Sequence, residues 1–270
     1  MSSIVDIVVC GAAGRMGRRI VALAAEDARV QVVGAVEARG NATIGEDAGV
    51  LAGLSASGVR VGDDLASIAS PGAVIVDFTS AESSLAHLRV AAAKRAPIVI
   101  GSTGFSASAR AEAEKLALQT PTLIAPNMSL GVNVLLGLVE EAARRLGPAF
   151  DCEIVELHHG RKKDAPSGTA LALGEAAARG KGLDPKQAFR VERSGMTGER
   201  PRDEIGIVAL RGGDAVGDHT VYFAGTGERI ELTHRATSRD CLAAGALHAA
   251  AWLGTGRPPG LYSMRNVLGK

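Results

Sequence analysis

Apolar residues fall in short, nearly unbroken runs along the first half of the chain: "IVDIVVC" at 4–10, "VQVVGAVE" at 30–37, "GAVIVDFTS" at 72–80, "APIVIGSTGF" at 96–105 and "PTLIAPNMS" at 121–129. Runs this short and this rich in Val and Ile read as strands buried on both faces. The stretches between them follow a different period. After "GAAGRMG", Met16, Ile20, Leu23 and Ala24 recur at helical spacing, and 81–95 and 106–120 read as two further helices. One helix between successive strands predicts a parallel, doubly wound sheet, since a tight turn cannot join a parallel pair. Residues 41–70 carry little pattern and are expected to form a variable excursion.

Beyond residue 128 the pattern changes. "SLGVNVLLGLVEEAARRLG" at 129–147 predicts a long helix with Ser129 placed to cap it. "FDCEIVELHH" at 150–159 alternates as a half-exposed strand does. An alanine-rich helix follows, entered through Pro166 and Ser167. Residues 181–204, rich in charge, Gly and Pro, predict a long loop. The stretches 205–213 and 219–236 predict antiparallel strands, with Gly225 to Gly227 as a hairpin turn. A last helix is expected over 240–254, and the apolar residues of "GLYSMRNVLG" need cover, so the end of the chain is expected to return to the first domain. The expected divisions are therefore 1–127, 128–239 and 240–270.

Composition narrows the picture. A length of 270 residues suits one large or two modest domains, and 46% hydrophobic with only 3% aromatic residues makes the core aliphatic. So few rings argue against stacking on single-stranded nucleic acid. A net charge of +1 gives no general attraction to nucleic acid or to an anionic membrane. Cys10, Cys152 and Cys241 are too few and too far apart for a disulfide framework or a cysteine zinc site. Neither a leader pattern nor an apolar run of membrane-spanning length is present, so a cytoplasmic location is expected.

Two places carry candidate chemistry. The first is the turn after the first strand. Gly11 permits a tight turn, Gly14 the close approach of a pyrophosphate, and Gly17 close helix–strand packing; the helix N-terminus adds free N–H groups and a favourable dipole. Glu37, twenty residues after Gly17, can accept the adenosine ribose hydroxyls. That carboxylate favours NADH, while Arg39 could turn to the extra phosphate of NADPH and leaves that cofactor open. Ligands of such sheets sit beyond the carboxyl ends of the strands, which puts Phe78-Thr79, Gly101 to Gly104 (with Thr103) and Pro126, Asn127, Met128 and Ser129 around the nicotinamide half. The second place is "HHGRKKDAPSGTA" at 158–170. There His158, His159, Lys162 and Lys163 precede a helix entrance at Ser167, Gly168 and Thr169. Such a site wants an anion, a carboxylate being the simplest, and its lysine or histidine can deliver a proton. His158 and His159 lack a third ligand at metal-binding spacing, so no metal is expected. His87 shows no persuasive partner in the sequence, and His219, His234 and His248 read as structural.

Taken together, "GAAGRMG" at 11–17, "DFTS" at 77–80, "GSTGF" at 101–105, "APNMSLGVN" at 125–133, "HHGRKKDAPSGTA" at 158–170 and "TGER" at 197–200 closely resemble the 4-hydroxy-tetrahydrodipicolinate (dihydrodipicolinate) reductase family over nearly the whole chain. The resemblance implies an α/β fold with an N-terminal Rossmann-like parallel sheet, a C-terminal α+β domain with an open mixed sheet, and a homotetramer. It implies NAD(P)H-dependent reduction of a small cyclic dicarboxylate, (2S,4S)-4-hydroxy-2,3,4,5-tetrahydrodipicolinate, to tetrahydrodipicolinate and water in lysine and diaminopimelate biosynthesis. By the same resemblance His158 is an acid–base residue and Lys162 the proton donor. His159, Lys162, Gly168, Thr169 and Thr103 hold the dicarboxylate; Gly11, Gly14, Arg15, Met16 and Gly17 form the dinucleotide loop; Glu37 binds ribose. Two positions depart from the family pattern. Ala38 stands where an arginine often follows the ribose-binding acid, and Ser102 replaces a common threonine. A reductase of another small carboxylate and a non-catalytic nucleotide-binding protein stay open as alternatives.

Overall fold

The computed structural model describes residues 4–269, which divide into two compact units, one running to Leu130 and resuming at Asp240, the other spanning Gly131–Arg239. The first unit begins with β1 (Val5–Cys10), α1 (Arg15–Ala24) and β2 (Val30–Val36). Within the expected excursion over 41–70 the chain makes two one-turn helices, α2 (Ala48–Leu51) and α3 (Leu65–Ile68), and a short strand, β3 (Val61–Gly62), that pairs with β2. Elements this short leave no periodic trace, so the pattern could not foretell them. Then come β4 (Ala73–Asp77), α4 (Ala81–Lys94), β5 (Ile98–Ile100), α5 (Ala107–Ala117) and β6 (Pro121–Ile124).

These strands lie in the order 3-2-1-4-5-6, all parallel. That order belongs to doubly wound dinucleotide sheets, whose direction of winding reverses between β1 and β4. Alternate side chains of each strand enter two separate cores. Val5, Ile7 and Val9 join the core that includes α1, while Val8 and Cys10 face Leu88 of α4 and Ala113 of α5. Burial on both faces is why these strands read as unbroken apolar runs.

The second unit contains α6 (Leu130–Leu146, its first residue lying in the first unit), β7 (Asp151–His158), α7 (Gly168–Lys181), α8 (Pro185–Ala188), β8 (Phe189–Arg190), β9 (Ile205–Arg211), β10 (Gly217–Gly225) and β11 (Glu228–Ala236). Its five strands form one sheet ordered β11-β10-β7-β9-β8. Two sequence expectations need correction. The stretch 181–204 is not loop throughout, since α8 and β8 interrupt it. And β9 runs parallel to β7, not antiparallel, with Cys152 opposite Ile205 and His158 opposite Arg211. Alternation tells which face a side chain takes but not which way a strand runs. The crossover through α7 sets the direction, because it returns the chain to the starting edge. β10 and β11 do form an antiparallel hairpin, closed at Gly225 and Glu228 around Gly227, whose φ is +82°. The inner face packs Ile154, Ile207, Val221 and Phe223 against Leu173 of α7 and Val139 of α6.

The chain then rejoins the first unit. α9 (Asp240–Leu253) packs on α1, β4 and β5 with Ala243, Ala246, Leu247, Ala250 and Leu253 buried, completing the face of the sheet that α1 covers in part. β12 (Gly260–Tyr262) extends the sheet beside β6, and α10 (Met264–Val267) adds Met264 and Val267 to the same core.

Candidate functional site

In the first unit, the turn from β1 to α1 is built on backbone proximity. Gly11 adopts φ +72°. A Cβ on Gly17 would stand 2.1 Å from the Gly11 carbonyl oxygen, so only glycine lets α1 start this close to the strand. Gly14 caps α1 without a side-chain hydrogen bond, leaving the first N–H groups of the helix for another acceptor. Arg15 is exposed, and Met16 packs half-buried on the core. Glu37 leans over this turn: its Oε1 accepts from the Ala13 N–H at 2.9 Å and its Oε2 from Asn41 at 3.1 Å. Ala38 and Arg39 beside it are exposed.

At the ends of β4 and β5, Asp77 holds the neighbouring turn. Its buried carboxylate accepts from the Thr79 N–H and hydroxyl at 2.8 and 2.7 Å, and its other oxygen pairs with His87 Nδ1 at 2.7 Å. His87 therefore has a partner that sequence spacing did not reveal, supplied by the strand beneath its helix. Cys10 adjoins the pair, and the ligand atoms of Cys10, Asp77 and His87 lie within 4.8 Å of one another. Burial, reinforced by the Asp77 and Glu37 carboxylates, pushes the Cys10 thiol well above its ordinary value. Phe78 lies against Gly101, where a Cβ would come within 2.2 Å of its ring. Ser84 and Ser102 share a buried hydrogen bond of 2.7 Å. Phe78, Thr79, Gly101 and Ser102 are thus brought together. Thr103 and Pro126 are exposed, and Asn127 accepts from the Ser129 N–H at 2.9 Å. The Met128 side chain is part of the core.

In the second unit, a buried carboxylate organises the basic cluster. Glu156 lies on the inner face of β7, between Ile154 and His158 in the alternation, and is fully buried. Its Oε2 meets His158 Nδ1 at 2.6 Å and Arg211 at 2.8 Å; its Oε1 meets Arg211 at 3.0 Å and the Ser167 N–H at 3.0 Å. Burial opposes the charge, but Arg211, His158 and the Ser167 N–H outweigh it and keep the carboxyl below its ordinary range. Ser167 caps α7 by accepting from the Ala170 N–H at 3.1 Å. Its hydroxyl also meets His219 Nε2 at 2.9 Å. His219 stands edge-on to His158 with centroids 5.2 Å apart, and burial, aided by His158, lowers its pKa to about 4. It is neutral at physiological pH.

Gly168 and Thr169 are the first residues of α7, directly after the capping Ser167. Lys162 Nζ bonds Asp164 at 2.7 Å and holds that carboxyl below its usual value. Lys163 is exposed. His159 has a buried Nδ1 with no hydrogen-bond partner among the described residues. The sequence reading missed Glu156 and Arg211 and set His219 aside as structural. The available signal for Glu156 was its position: a carboxylate in the same alternate row as Cys152 and Ile154.

Comparison with known proteins adds to this geometry. The family model described as dihydrodipicolinate reductase, N-terminus, matches residues 5–128, and the model for its C-terminus matches 131–268. A 4-hydroxy-tetrahydrodipicolinate reductase of Anaeromyxobacter dehalogenans is 54% identical over 263 residues, 97% of each chain. One from Geobacter metallireducens is 51% identical over 265 residues, 98% of this chain and 99% of the other. Among solved structures, dipicolinate-bound dihydrodipicolinate reductase from Paenisporosarcina sp. TG-14 shares the fold with a TM-score of 0.76 at 21% identity, over 97% of this chain and 98% of that one. An amine dehydrogenase from Mycobacterium smegmatis follows at 0.61 and 16%, over 97% and 95%.

Proposed function

The chain belongs to the dihydrodipicolinate reductase family, and from that membership we propose that it reduces (2S,4S)-4-hydroxy-2,3,4,5-tetrahydrodipicolinate to 2,3,4,5-tetrahydrodipicolinate and water, using NAD(P)H, in lysine and diaminopimelate biosynthesis. The observation that carries the proposal is the entrance of α7, where the segment bearing His158, His159 and Lys162 leads into the helix N-terminus at Gly168 and Thr169. Relatives of about half identity along the whole chain favour neither another carboxylate nor a non-catalytic role.

The first unit suits a dinucleotide. A Cβ at Gly11 or Gly17 would intrude on the cradle, the N-terminus of α1 carries no side-chain cap, and Glu37 sits at the end of β2. Gly11, Gly14, Arg15, Met16 and Gly17 would hold the pyrophosphate, Glu37 and Arg39 the adenosine side, and Phe78, Gly101, Thr103, Pro126, Asn127 and the Met128 backbone the nicotinamide side. When bound, the cofactor would supply the hydride that carbon 4 of the ring takes up after its hydroxyl has left as water, the balancing proton going to the neighbouring carbon. The chain's own groups do the rest. The N–H groups of Gly168 and Thr169, with His159, would bind a substrate carboxylate, because a helix N-terminus and donors favour anions. Lys162, tethered by Asp164, delivers the proton, and His158 assists as acid–base partner. Glu37 directs one carboxylate oxygen at the turn and the other at Asn41, and no arginine follows it directly, which supports NADH as the preferred donor with NADPH accepted less well.

The outer face of the second unit's sheet exposes Val208 and Leu210 beside Val155 and Leu157, and this apolar row supports a homotetramer built through that sheet. A cytoplasmic setting belongs to the same reading. The test generates the unstable substrate with the upstream synthase, pyruvate and aspartate semialdehyde, and follows absorbance at 340 nm with NADH and NADPH in parallel. Synthase-dependent oxidation, faster with NADH, is expected. Its absence with an active synthase and a folded protein would overturn the proposal.

A further inference from the structure

The roles proposed for His158 and Lys162 require each group to be held in one geometry, and one side chain outside the sequence motif meets His158 directly and the tether of Lys162 through Arg211. Glu156 makes four hydrogen bonds from a fully buried carboxylate: to His158, to the N–H of the residue that caps α7, and twice to Arg211. Arg211 in turn donates to the carbonyl of Asp164 at 2.7 Å, and the Asp164 carboxylate holds Lys162. The imidazole, the anion-binding helix entrance and the tether of the lysine therefore share one anchor.

We propose that Glu156 is a positioning residue for this reaction, fixing the tautomer of His158 and the register between His158, Lys162 and the N-terminus of α7; the inference rests on the activity proposed above. An ionised carboxylate only accepts, so Nδ1 of His158 must carry the hydrogen and Nε2 is the nitrogen left for proton exchange. The surroundings agree. Gly217 passes so close that a Cβ there would lie 2.9 Å from Nε2, so a glycine keeps that nitrogen unobstructed on its β10 side. The groups facing the imidazole are Glu156 on its own strand, Arg211 on β9 and His219 on β10. Arg211 balances the buried negative charge, and His219, deprotonated, does not add a second positive charge beside His158. A carboxylate that served packing alone would not need to meet three chemically different parts of one site.

The test compares native protein with Glu156→Gln and with Glu156→Gln/Arg211→Met. The double variant removes the guanidinium that a lone glutamine would leave unbalanced, and is expected to fold where the single variant does not. Three quantities are read on the full chain: the imidazole nitrogen resonances of His158 by NMR, the dissociation constant of dipicolinate by calorimetry, and kcat, KM and the pH profile of turnover. His158 and the Ser167 N–H meet different oxygens of Glu156, so a glutamine would keep an acceptor for one of them and turn its NH2 toward the other. The expected results are loss of the pure Nδ1–H form of His158, dipicolinate binding weakened about fivefold or more, kcat down about tenfold or more with a displaced pH limb, and NADH KM within about twofold. Nitrogen shifts, dipicolinate affinity and kcat all within about twofold of native would overturn the proposal. The first two readouts need no turnover. They decide the role of Glu156 even if native protein proves inactive in the coupled assay, an outcome that would overturn the proposed reaction alone.

Discussion

His219 should make the second unit lose stability as the pH falls below neutrality. The residue is almost wholly buried, and its pKa of about 4 lies well under the ordinary 6.5 of an exposed histidine. Between those values the unfolded chain binds a proton at this position that the folded chain does not. Stability is therefore complete above pH 6.5, declines as the pH drops toward 4, and levels off below that. The gap corresponds to about 3 kcal/mol in full and about 2 kcal/mol at pH 5. Other carboxylates titrate in the same range, so the effect must be isolated by difference. His219→Gln supplies the comparison, because a glutamine amide can reach the Ser167 hydroxyl now bonded to Nε2 but does not titrate. Urea unfolding followed by circular dichroism would be run for both proteins from pH 7 to pH 5. The native protein should lose about 2 kcal/mol more than the variant over that interval. Curves that stay parallel within about 0.5 kcal/mol would refute the assignment of His219 as a buried neutral histidine.

Gly17→Ala places a methyl against the Gly11 carbonyl and the Ala12 backbone, which cannot yield as a side chain could; a destabilisation of about 1–3 kcal/mol and at least about tenfold weaker NADH binding are expected, and fluorescence titration giving an unchanged Kd would contradict the cradle. Glu37→Ala should weaken NADH more than NADPH, and an unaltered ratio of the two dissociation constants would remove the ribose role. Lys162→Ala should lower turnover by about 10²-fold or more with cofactor affinity intact, whereas turnover within about threefold of native would exclude it as proton donor. Gly217→Ala should push His158 from its place and reduce kcat while leaving NADH affinity alone; full activity in that variant would show that the imidazole tolerates displacement.

Much of the fold was legible because the signals were local. Strands buried on both faces announce themselves as Val- and Ile-rich runs. The cofactor turn shows as glycines at 11, 14 and 17, whose spacing the backbone geometry requires. The entrance of α7 shows in the same way, since a capping serine, Gly168 and a basic segment adjoin in sequence. The short elements within 41–70 and 181–204 were not legible, being too brief for any period to register.

The amino-acid sequence by itself determined the doubly wound sheet, the glycine cradle and the basic helix entrance, for each depends on residues that are neighbours along the chain. Tertiary structure alone decided the rest. His87 met Asp77 because β4 lies beneath α4, and β9 aligned with β7 because a crossover helix set its direction. Arg211 and His219 reached Glu156 and Ser167 from 55 and 52 residues away. Hydrogen bonds of that kind are fixed by strand register and packing, which put distant residues side by side with no periodic mark in the sequence.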